Sequence, residues 1–282
     1  MKKLIPVLMS ALKIILTVYL LVFIGLYLFQ EKIIFFPVPL DDNALADIRR
    51  FHPEAEEINI ESNDGKNLHG WVIDNTIEEP PNGMIFYYGG NAEEISHRIE
   101  EMSKLSGWTV VLVNYRGYGL SDGDPGEKAM FDDALKIYDH FNSIEKYSQM
   151  KKVAMAWSLG TGVAVHVAHE RKIDGVFLVS PYDSIKNIAK KTYPFIPVEL
   201  MLRHPFDSIK KAPDIKSPVR IIASSEDRVI PSSSSVSLAL EWGGEKDIIV
   251  IENYDHNSLI SSSAYKKYLE ESLGFFVDKS KK

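Results

Sequence analysis

The sequence predicts a mostly parallel, doubly wound α/β sheet that follows one N-terminal membrane-spanning helix. Two observations predict this arrangement. Short apolar runs alternate with amphipathic stretches from about residue 32 onward, which is typical of repeated strand–helix units. Before residue 32, an apolar segment begins almost at the first residue, and its length suits a bilayer rather than the core of a domain.

The composition narrows the functions that such a chain can have. The 282 residues are 45% hydrophobic and 25% charged, and none is cysteine, so the chain can bury an enzyme-sized core without disulfides. The absence of cysteine excludes a cysteine nucleophile, a Cys-ligated metal centre and a lipid-modified cysteine anchor. A net charge of −7 leaves no broad basic surface, so we expect no nucleic-acid partner.

The N-terminal apolar segment has the length of a membrane anchor. Ile14–Phe29 are sixteen consecutive residues without a charge. In the wider stretch Leu4–Phe29, Lys13 is the only charged residue. A helix needs ~20 mostly apolar residues to span a bilayer core, and Lys13 can extend toward the head groups. A cleaved signal peptide is the alternative, because Lys2 and Lys3 provide its basic start. No small-residue cleavage site follows the apolar run, so we predict that the anchor is retained.

The charges that flank the anchor predict its orientation. Lys2, Lys3 and Lys13 lie on the N-terminal side, whereas Glu31 and Lys32 cancel each other on the other side. Positively charged flanks tend to stay in the cytoplasm. We therefore expect a single-pass protein with a cytoplasmic N-terminus, whose remaining chain lies on the exported, periplasmic or extracytoplasmic side.

The folded domain, residues 32–282, follows the anchor of residues 1–31 and contains eight candidate strands. The later strands are nearly continuous Val, Ile and Leu, as in strands covered by helices on both faces. Only a turn with Asp64-Gly65 separates the first two, which favours an antiparallel hairpin. We expect function at the carboxyl ends of the strands. The predicted strands are Glu57–Ser62, Leu68–Asp74, Met84–Tyr88, Thr109–Asn114, Val153–Ala156, Gly175–Ser180, Val219–Ala223 and Asp247–Glu252, and the predicted helices are Ala92–Leu105, Lys128–Phe141, Leu159–Arg171, Ser232–Trp242 and Ser258–Phe276.

A serine follows the fifth predicted strand at the turn into a helix. The segment reads Ala156-Trp157-Ser158-Leu159-Gly160 and continues as a helical run. Such a turn can hold the serine hydroxyl outward above a helix N-terminus. It needs small residues two positions before and after the serine, here Ala156 and Gly160. A serine that only caps the helix is the alternative, so this motif alone does not identify a nucleophile.

An acid and a histidine follow two later strands at the same edge of the predicted sheet. Asp227 follows the seventh strand and His256 follows the eighth. A serine hydroxyl needs an adjacent base to attack, and the base needs a carboxylate that fixes its tautomer. We predict a catalytic triad in the chain order Ser158, Asp227, His256, which differs from the order in two other common serine-hydrolase triads. Glu226 and Asp255 are the competing candidates for the acid.

The loop after the third predicted strand is a candidate for binding an oxyanion. Gly89 and Gly90 allow a sharp turn before Asn91, whose backbone N–H can then face the nucleophile. Together with the backbone N–H of Leu159, it would supply the two donors that stabilise a tetrahedral intermediate. A phosphate-binding loop is the alternative, but this segment lacks the lysine and the spacing of a P-loop.

At several places the chain resembles the membrane-anchored serine α/β hydrolases of the lysophospholipase and depalmitoylase-like branch. The resemblance extends over nearly the whole chain. It implies an α/β-hydrolase fold, with an eight-stranded, mostly parallel sheet flanked by helices and a short lid after strand six. It also implies that the triad and the two backbone donors named above perform the family's chemistry. The segments that carry it are Phe29–Pro37, Gly90–Ala92, Asn114–Gly123, Ser158–Gly160, Ser180–Tyr182 and the loops of Asp227 and His256, of which Asn114–Gly123 is the most specific.

Three positions depart from the pattern of this family. Gly89 stands where the family usually has histidine, and Ala156 stands where the serine turn has its first glycine. Ser224 or Ser225 stands where a glycine usually precedes the acid. Each substitute is small and none removes a catalytic group. We expect them to affect backbone strain, rate and substrate more than the chemistry.

The segment between strands six and seven, residues 181–218, is predicted to form the small lid. Its apolar and aromatic residues, together with Trp157, Tyr118 and Tyr182, would suit the acyl chain of a substrate. The alternative is that these residues only cover the sheet.

The sequence therefore predicts a membrane-tethered serine hydrolase. It would cleave a carboxylic ester or thioester of an acyl or lipid-like small-molecule substrate through an acyl-enzyme. No cofactor or metal is expected, because His166, His169 and Glu170 lack the spacing of a metal site. The alternatives are a peptidase or amidase with the same triad and a non-catalytic, membrane-tethered interaction domain. The three candidate catalytic residues favour an enzyme, because an interaction domain has no physical need of them.

Overall fold

The computed structural model describes residues 4–76 and 81–278, in which eight strands form one mixed sheet. The strand order is β1-β2-β4-β3-β5-β6-β7-β8. The pairs β1–β2 and β2–β4 are antiparallel, and the other five pairs are parallel. The strands are β1 Ala55–Glu61, β2 Asn67–Asp74, β3 Gly83–Tyr88, β4 Trp108–Val113, β5 Lys152–Trp157, β6 Gly175–Val179, β7 Val219–Ser224 and β8 Lys246–Ile251.

Helices cover both faces of this sheet. One buried apolar cluster lies between the sheet and α4, α6 and α10, and a second lies between the sheet and α2, α3 and α11. The helices are α1 Leu4–Ile34, α2 Asp42–Phe51, α3 Ile99–Met102, α4 Glu127–Ser143, α5 Glu145–Ser148, α6 Gly160–Glu170, α7 Ile185–Thr192, α8 Val198–Met201, α9 Ser208–Lys211, α10 Ser232–Glu241 and α11 Ser263–Asp278, with short 3-10 turns at Ile95–Arg98, Ala212–Asp214 and Leu259–Ser261.

The strand predictions are confirmed. Each of the eight predicted strands overlaps an observed one, and the ends agree to within two residues. The first two strands form the expected antiparallel hairpin, whose turn contains Gly65 at a φ of +77°. All six residues of β3 and all six of β4 are buried, which explains why the central strands are continuous apolar runs.

The predicted helix Ala92–Leu105 is wrong in length. Helical structure begins only with the 3-10 turn at Ile95, and α3 ends at Met102. Ala92 has a φ of +56°, a left-handed conformation that a helix cannot include. The Glu94 carboxylate then accepts the Ser96 N–H and caps the turn that follows. The start of the segment is therefore a shaped loop rather than a helix.

Helix α1 is the apolar N-terminal segment. It continues for 31 residues, and the structure leaves nearly all of its side chains exposed. It is long enough and apolar enough to cross a bilayer. Its last turns contact the domain, where the buried Gln30 side chain accepts the Arg203 N–H at 2.7 Å and donates to Met201 O at 3.2 Å. Lys2 and Lys3, which contribute to the predicted orientation, lie outside the described residues.

The predicted lid consists of three short helices between β6 and β7. Helix α7 begins at Ile185 after Ser184, whose hydroxyl accepts the Asn187 N–H at 3.0 Å. Helices α8 and α9 follow, and the segment returns to the sheet at β7. The first of these helices packs beside α8 and near the end of α1.

Candidate active site

Ser158 lies on the turn between β5 and α6, with a φ of +52°. Residues other than glycine rarely adopt this conformation, so surrounding contacts must hold it. The Ser158 N–H donates to Val179 O at 3.0 Å, and Ser158 O accepts both the N–H and the hydroxyl of Thr161. Gly160 allows the close approach of α6 to the sheet, because a Cβ at this position would collide with Tyr88 O. The serine thus stands on the tight strand-to-helix turn that its sequence setting predicted.

Ser158, His256 and Asp227 form one continuous chain of hydrogen bonds. His256 Nε2 lies 2.8 Å from Ser158 Oγ, and His256 Nδ1 lies 2.6 Å from Asp227 Oδ2. The three residues follow β5, β8 and β7, and they are only 8%, 7% and 6% exposed, respectively. A carboxylate at Nδ1 favours a proton on that nitrogen, which leaves Nε2 free to accept the serine proton. The arrangement can therefore activate the hydroxyl as a nucleophile.

Asp227 is held as a carboxylate. Burial opposes its ionisation, but the hydrogen bond with His256 and those from the N–H groups of Ile230 and Val229 outweigh burial and lower its pKa below the ordinary value. A negative charge at this point is suited to stabilising the imidazolium that forms when the histidine takes a proton.

The two other candidate acids have different partners. Glu226 accepts the Asn253 N–H at 2.9 Å. Asp255 accepts the N–H and the hydroxyl of Ser258, each at 2.8 Å, and the N–H bond contributes most to lowering its pKa. Both carboxylates therefore order the loop of the histidine. Of the three acids, Asp227 is the one that bonds to the imidazole.

The side chain of Asn91 joins the loop after β3 to the end of the anchor helix. Asn91 Nδ2 donates to Ile34 O at 2.7 Å, and Asn91 Oδ1 accepts the Phe36 N–H at 3.0 Å and the Tyr118 hydroxyl at 2.8 Å. Within residues 4–76 and 81–278, the backbone N–H groups of Asn91 and Leu159 have no hydrogen-bond partner. Both N–H groups are therefore available to donate to a bound ligand.

Trp157 lies between the histidine and Arg98, and the sequence predicted neither Arg98 nor its partner Glu93 as part of the site. The Trp157 ring stacks on the His256 imidazole with centroids 5.7 Å apart, and the Arg98 guanidinium lies 5.1 Å from the indole centroid. Arg98 pairs with Glu93, which also accepts the Gly90 N–H at 2.6 Å. A glutamate three residues after the glycine turn was the available sequence signal. These contacts fix the loop on which Asn91 lies.

Tyr118 and Tyr182, which the sequence suggested as pocket residues, are fully buried. The Tyr118 hydroxyl donates to Asn91 Oδ1, and the Tyr182 hydroxyl donates to Leu159 O at 2.9 Å. Burial raises the pKa of Tyr118 to about 12 and that of Tyr182 well above its ordinary value, so both remain neutral donors. The two rings support the segments of Asn91 and Leu159 from within the domain and present no surface to an open cleft.

The segment after β4, which carries the most specific part of the family resemblance, contains a buried ion-pair centre. Arg116 makes two hydrogen bonds to Asp64 at 2.7 and 2.8 Å and two to Asp133 at 2.6 and 2.7 Å. These bonds join the β1–β2 hairpin and α4 to the end of β4. The neighbouring Tyr115 hydroxyl donates to Gly89 O at 3.0 Å. The segment thus supports the glycine turn before Asn91.

A polar cleft of about 600 Å³ opens beside the site and is lined by residues 225–229 and 255–257. Asp227 and His256 form part of its wall. The described part of the chain contains no group of three or more His, Asp or Glu residues that could hold a metal ion. The groups that the chain itself supplies at the site are the hydroxyl of Ser158, the imidazole of His256 and the carboxylate of Asp227.

The fold and the residues at its strand ends define the class of the protein, which has the α/β-hydrolase fold. A family model described as the α/β hydrolase fold matches residues 84–202, a range that includes both the loop of Asn91 and the turn of Ser158. The predicted fold class and the resemblance to the α/β hydrolases are confirmed.

Individual proteins extend this similarity over most of the chain. The chain is 28% identical over 234 residues to an uncharacterized protein of Mycobacterium tuberculosis, covering 81% of this chain and 80% of that protein. It is 23% identical over 216 residues to an uncharacterized membrane protein of Saccharomyces cerevisiae, covering 71% and 76%. An esterase of Pyrococcus furiosus has a similar structure, with a TM-score of 0.62, 18% identity and coverage of 80% of this chain and 90% of that one.

Proposed function

We propose that this protein is a membrane-tethered serine hydrolase that cleaves carboxylic ester or thioester bonds of acyl or lipid-like substrates. The observation that carries the proposal is the hydrogen-bonded chain from Ser158 through His256 to Asp227. The structural similarity to an esterase supports the same reaction class. The resemblance to the lysophospholipase and depalmitoylase-like hydrolases supports the acyl nature of the substrate.

The reaction follows from the geometry of these groups. Ser158 Oγ attacks the substrate carbonyl carbon while His256 Nε2 takes the hydroxyl proton, and Asp227 stabilises the resulting imidazolium. The backbone N–H groups of Asn91 and Leu159 donate to the oxygen that becomes negative. The imidazolium then protonates the leaving alcohol or thiol. Water, deprotonated by the same histidine, attacks the acyl-enzyme and releases the acid.

The membrane part of the proposal rests on α1. We assign residues 1–31 to an uncleaved anchor and residues 32–282 to the catalytic domain, which lies on the exported side of the membrane. The length and apolar surface of α1 support the anchor. The yeast relative is itself described as a membrane protein. The anchor concentrates the enzyme where lipid-derived substrates are found.

The test uses the full-length protein in detergent micelles. We expect a fluorophosphonate probe to label the wild type and p-nitrophenyl esters to be hydrolysed. Ser158→Ala should lose the label and at least about 10³-fold in turnover, because the nucleophile is absent. The chain-length dependence of turnover measures the acyl preference.

Ser180→Ala is the matched control for this test. Ser180 also follows a strand, is buried and has a φ of +46°, and its hydroxyl has no partner in the described part of the chain. It should keep both label and turnover. Labelling that persists in Ser158→Ala would refute the assignment of the nucleophile. A folded wild type that neither labels nor hydrolyses any ester would favour the interaction domain instead.

A further inference from the structure

An apolar cavity that is open to the outside lies between the end of α1 and the lid. Its volume is about 100 Å³, and its walls are almost entirely carbon. One wall is formed by Leu26, Ile33 and Ile34 of α1, and the other includes Ala189 and Ile196 of the lid. Apolar walls of this kind favour an apolar group over water. The site described above does not use it.

The lid lies alongside the anchor helix rather than only at its end. Gln30 donates to Met201 O near the end of α1, and the Tyr19 hydroxyl donates to Phe195 O at 2.8 Å farther back along the helix. Tyr19 and Gln30 are eleven positions apart, which corresponds to about 16 Å along the helix. The lid therefore extends into the part of α1 that lies within the bilayer when the helix spans it. The cavity adjoins the contact of Gln30 with Met201, along residues 26–34 of α1.

Two large apolar side chains are exposed on the lid beside α1. Phe195 is 87% exposed and Leu200 is 84% exposed. Exposed aromatic and aliphatic side chains next to a membrane-spanning helix are placed to contact acyl chains. The same surface would be unfavourable in water, which argues that the bilayer covers it.

Both walls of the cavity continue directly into the loops of the proposed oxyanion donors. Ile34 O accepts the side-chain amide of Asn91. On the lid side, Tyr182, three residues before α7, donates to Leu159 O. The two walls of the cavity are thus each tied by a hydrogen bond to a segment that carries a proposed oxyanion donor.

We propose that this cavity binds the acyl chain of a bilayer lipid, which enters sideways from the leaflet between α1 and the lid. The substrate class is then an acyl ester or thioester that resides in the membrane, rather than a soluble one. The cleavage of such a lipid rests on the function proposed above, but the binding of its chain does not. The two can therefore be tested separately.

The binding test uses full-length protein in phosphatidylcholine vesicles that contain a trace of phosphatidylcholine with a diazirine on one acyl chain. After illumination, mass spectrometry locates the crosslinked peptides. We expect crosslinks in the lid, residues 185–202, as well as in residues 26–34 of α1. The same pattern is expected for Ser158→Ala, because chain binding does not need the nucleophile.

Two variants fill the cavity from opposite walls, Ala189→Phe from the lid and Ile33→Trp from α1. We expect each to lower lid crosslinking by about tenfold and to slow hydrolysis of the bilayer lipid, while fluorophosphonate labelling and p-nitrophenyl acetate turnover remain. Ala46→Phe is the control, because it makes the same substitution as Ala189→Phe at an exposed alanine of α2. It should change none of these measurements.

Crosslinks confined to α1, or lid crosslinks that persist in both cavity variants, would overturn the proposal. Retained labelling by fluorophosphonate shows that each variant is folded. If lid crosslinks behave as expected but the wild type is neither labelled nor active, the chain-binding site stands and the proposed hydrolase function fails.

Discussion

Asp227 uses its two carboxylate oxygens for different partners. Oδ1 accepts the N–H groups of Val229 and Ile230 at 2.9 and 2.8 Å, and Oδ2 bonds to His256 Nδ1. These backbone amides have fixed positions, so they hold the carboxylate in one orientation. The carboxylate in turn favours one tautomer of the imidazole. The proton on Nδ1 is thus a consequence of the backbone that follows β7.

Asp227→Asn is expected to lower kcat by about 10³- to 10⁴-fold, because an amide no longer holds the histidine in the tautomer that accepts the serine proton. Asp255→Asn is the matched control, since Asp255 adjoins His256 in the chain but bonds to Ser258. It should retain most of its activity. The measurement is kcat on a soluble p-nitrophenyl ester, with circular dichroism to verify folding. Equal losses in the two variants would contradict the role of Asp227.

The sequence alone was sufficient to predict the positions of Ser158, Asp227 and His256, because each directly follows a buried apolar strand and strand ends meet at one edge of a parallel sheet. The contacts of the Asn91 side chain were not predictable in this way. Its partners at Ile34 and Phe36 are 57 and 55 residues away in the chain. Such pairings depend on where the anchor helix ends in three dimensions, which no local pattern encodes.

Among whole elements, the strands were easier to predict than the short helices. A central strand must be apolar on both faces, so its sequence is distinctive. Helices α2 and α7, by contrast, were not predicted. They begin at side-chain caps, where Asp41 accepts the Ala44 N–H and Ser184 accepts the Asn187 N–H, and caps of this kind resemble ordinary turn residues. Both helices are short but clearly amphipathic, so the sequence did contain a helical pattern at these two places.

The packing of α6 against α4 and α9 predicts a pH dependence of stability. His166 of α6 stacks on Phe131 at 4.1 Å, and its Nδ1 accepts the Lys211 ammonium at 2.9 Å. Burial and the Lys211 charge lower the pKa of His166 to about 4. The unfolded chain binds this proton below about pH 6.5, whereas the folded protein remains neutral there. The stability that neutral His166 contributes to the folded protein is therefore complete above about pH 6.5 and is lost as the pH falls toward about 4.

We expect the free energy of unfolding to lose about 2 kcal/mol between pH 7 and pH 4.5 through this group. His166→Gln should remove that part of the pH dependence, whereas His140→Gln, which changes an exposed histidine, should retain it. Urea unfolding followed by tryptophan fluorescence at the two pH values provides the comparison. Equal pH dependence in both variants would show that His166 titrates alike in the folded and unfolded chain.

In the molecule as a whole, α1 passes directly into the folded domain. Helix α1 ends at Ile34, and the next residue, Phe35, is buried against Phe206 with ring centroids 6.2 Å apart. Asn91 then binds the chain on both sides of Phe35, at Ile34 O and at the Phe36 N–H. The loop with the proposed oxyanion donor is therefore fastened to the anchor, and the orientation of α1 in a bilayer fixes the orientation of the site.

Asn91→Ala tests this connection, because it keeps the backbone N–H and removes only the side chain that links the loop to α1. We expect kcat on p-nitrophenyl acetate to fall by about tenfold, since a donor that is no longer aimed stabilises the oxyanion less well, while KM changes little. Asn75→Ala is the matched control: its amide also donates to a backbone carbonyl, that of Met102, away from the site.

Both variants should unfold at a somewhat lower temperature. If Asn91→Ala unfolds at a lower temperature, as Asn75→Ala does, but keeps the wild-type kcat, the side chain stabilises the fold and does not position the donor. If kcat falls in Asn91→Ala alone, the end of the anchor helix helps to set the rate of the reaction.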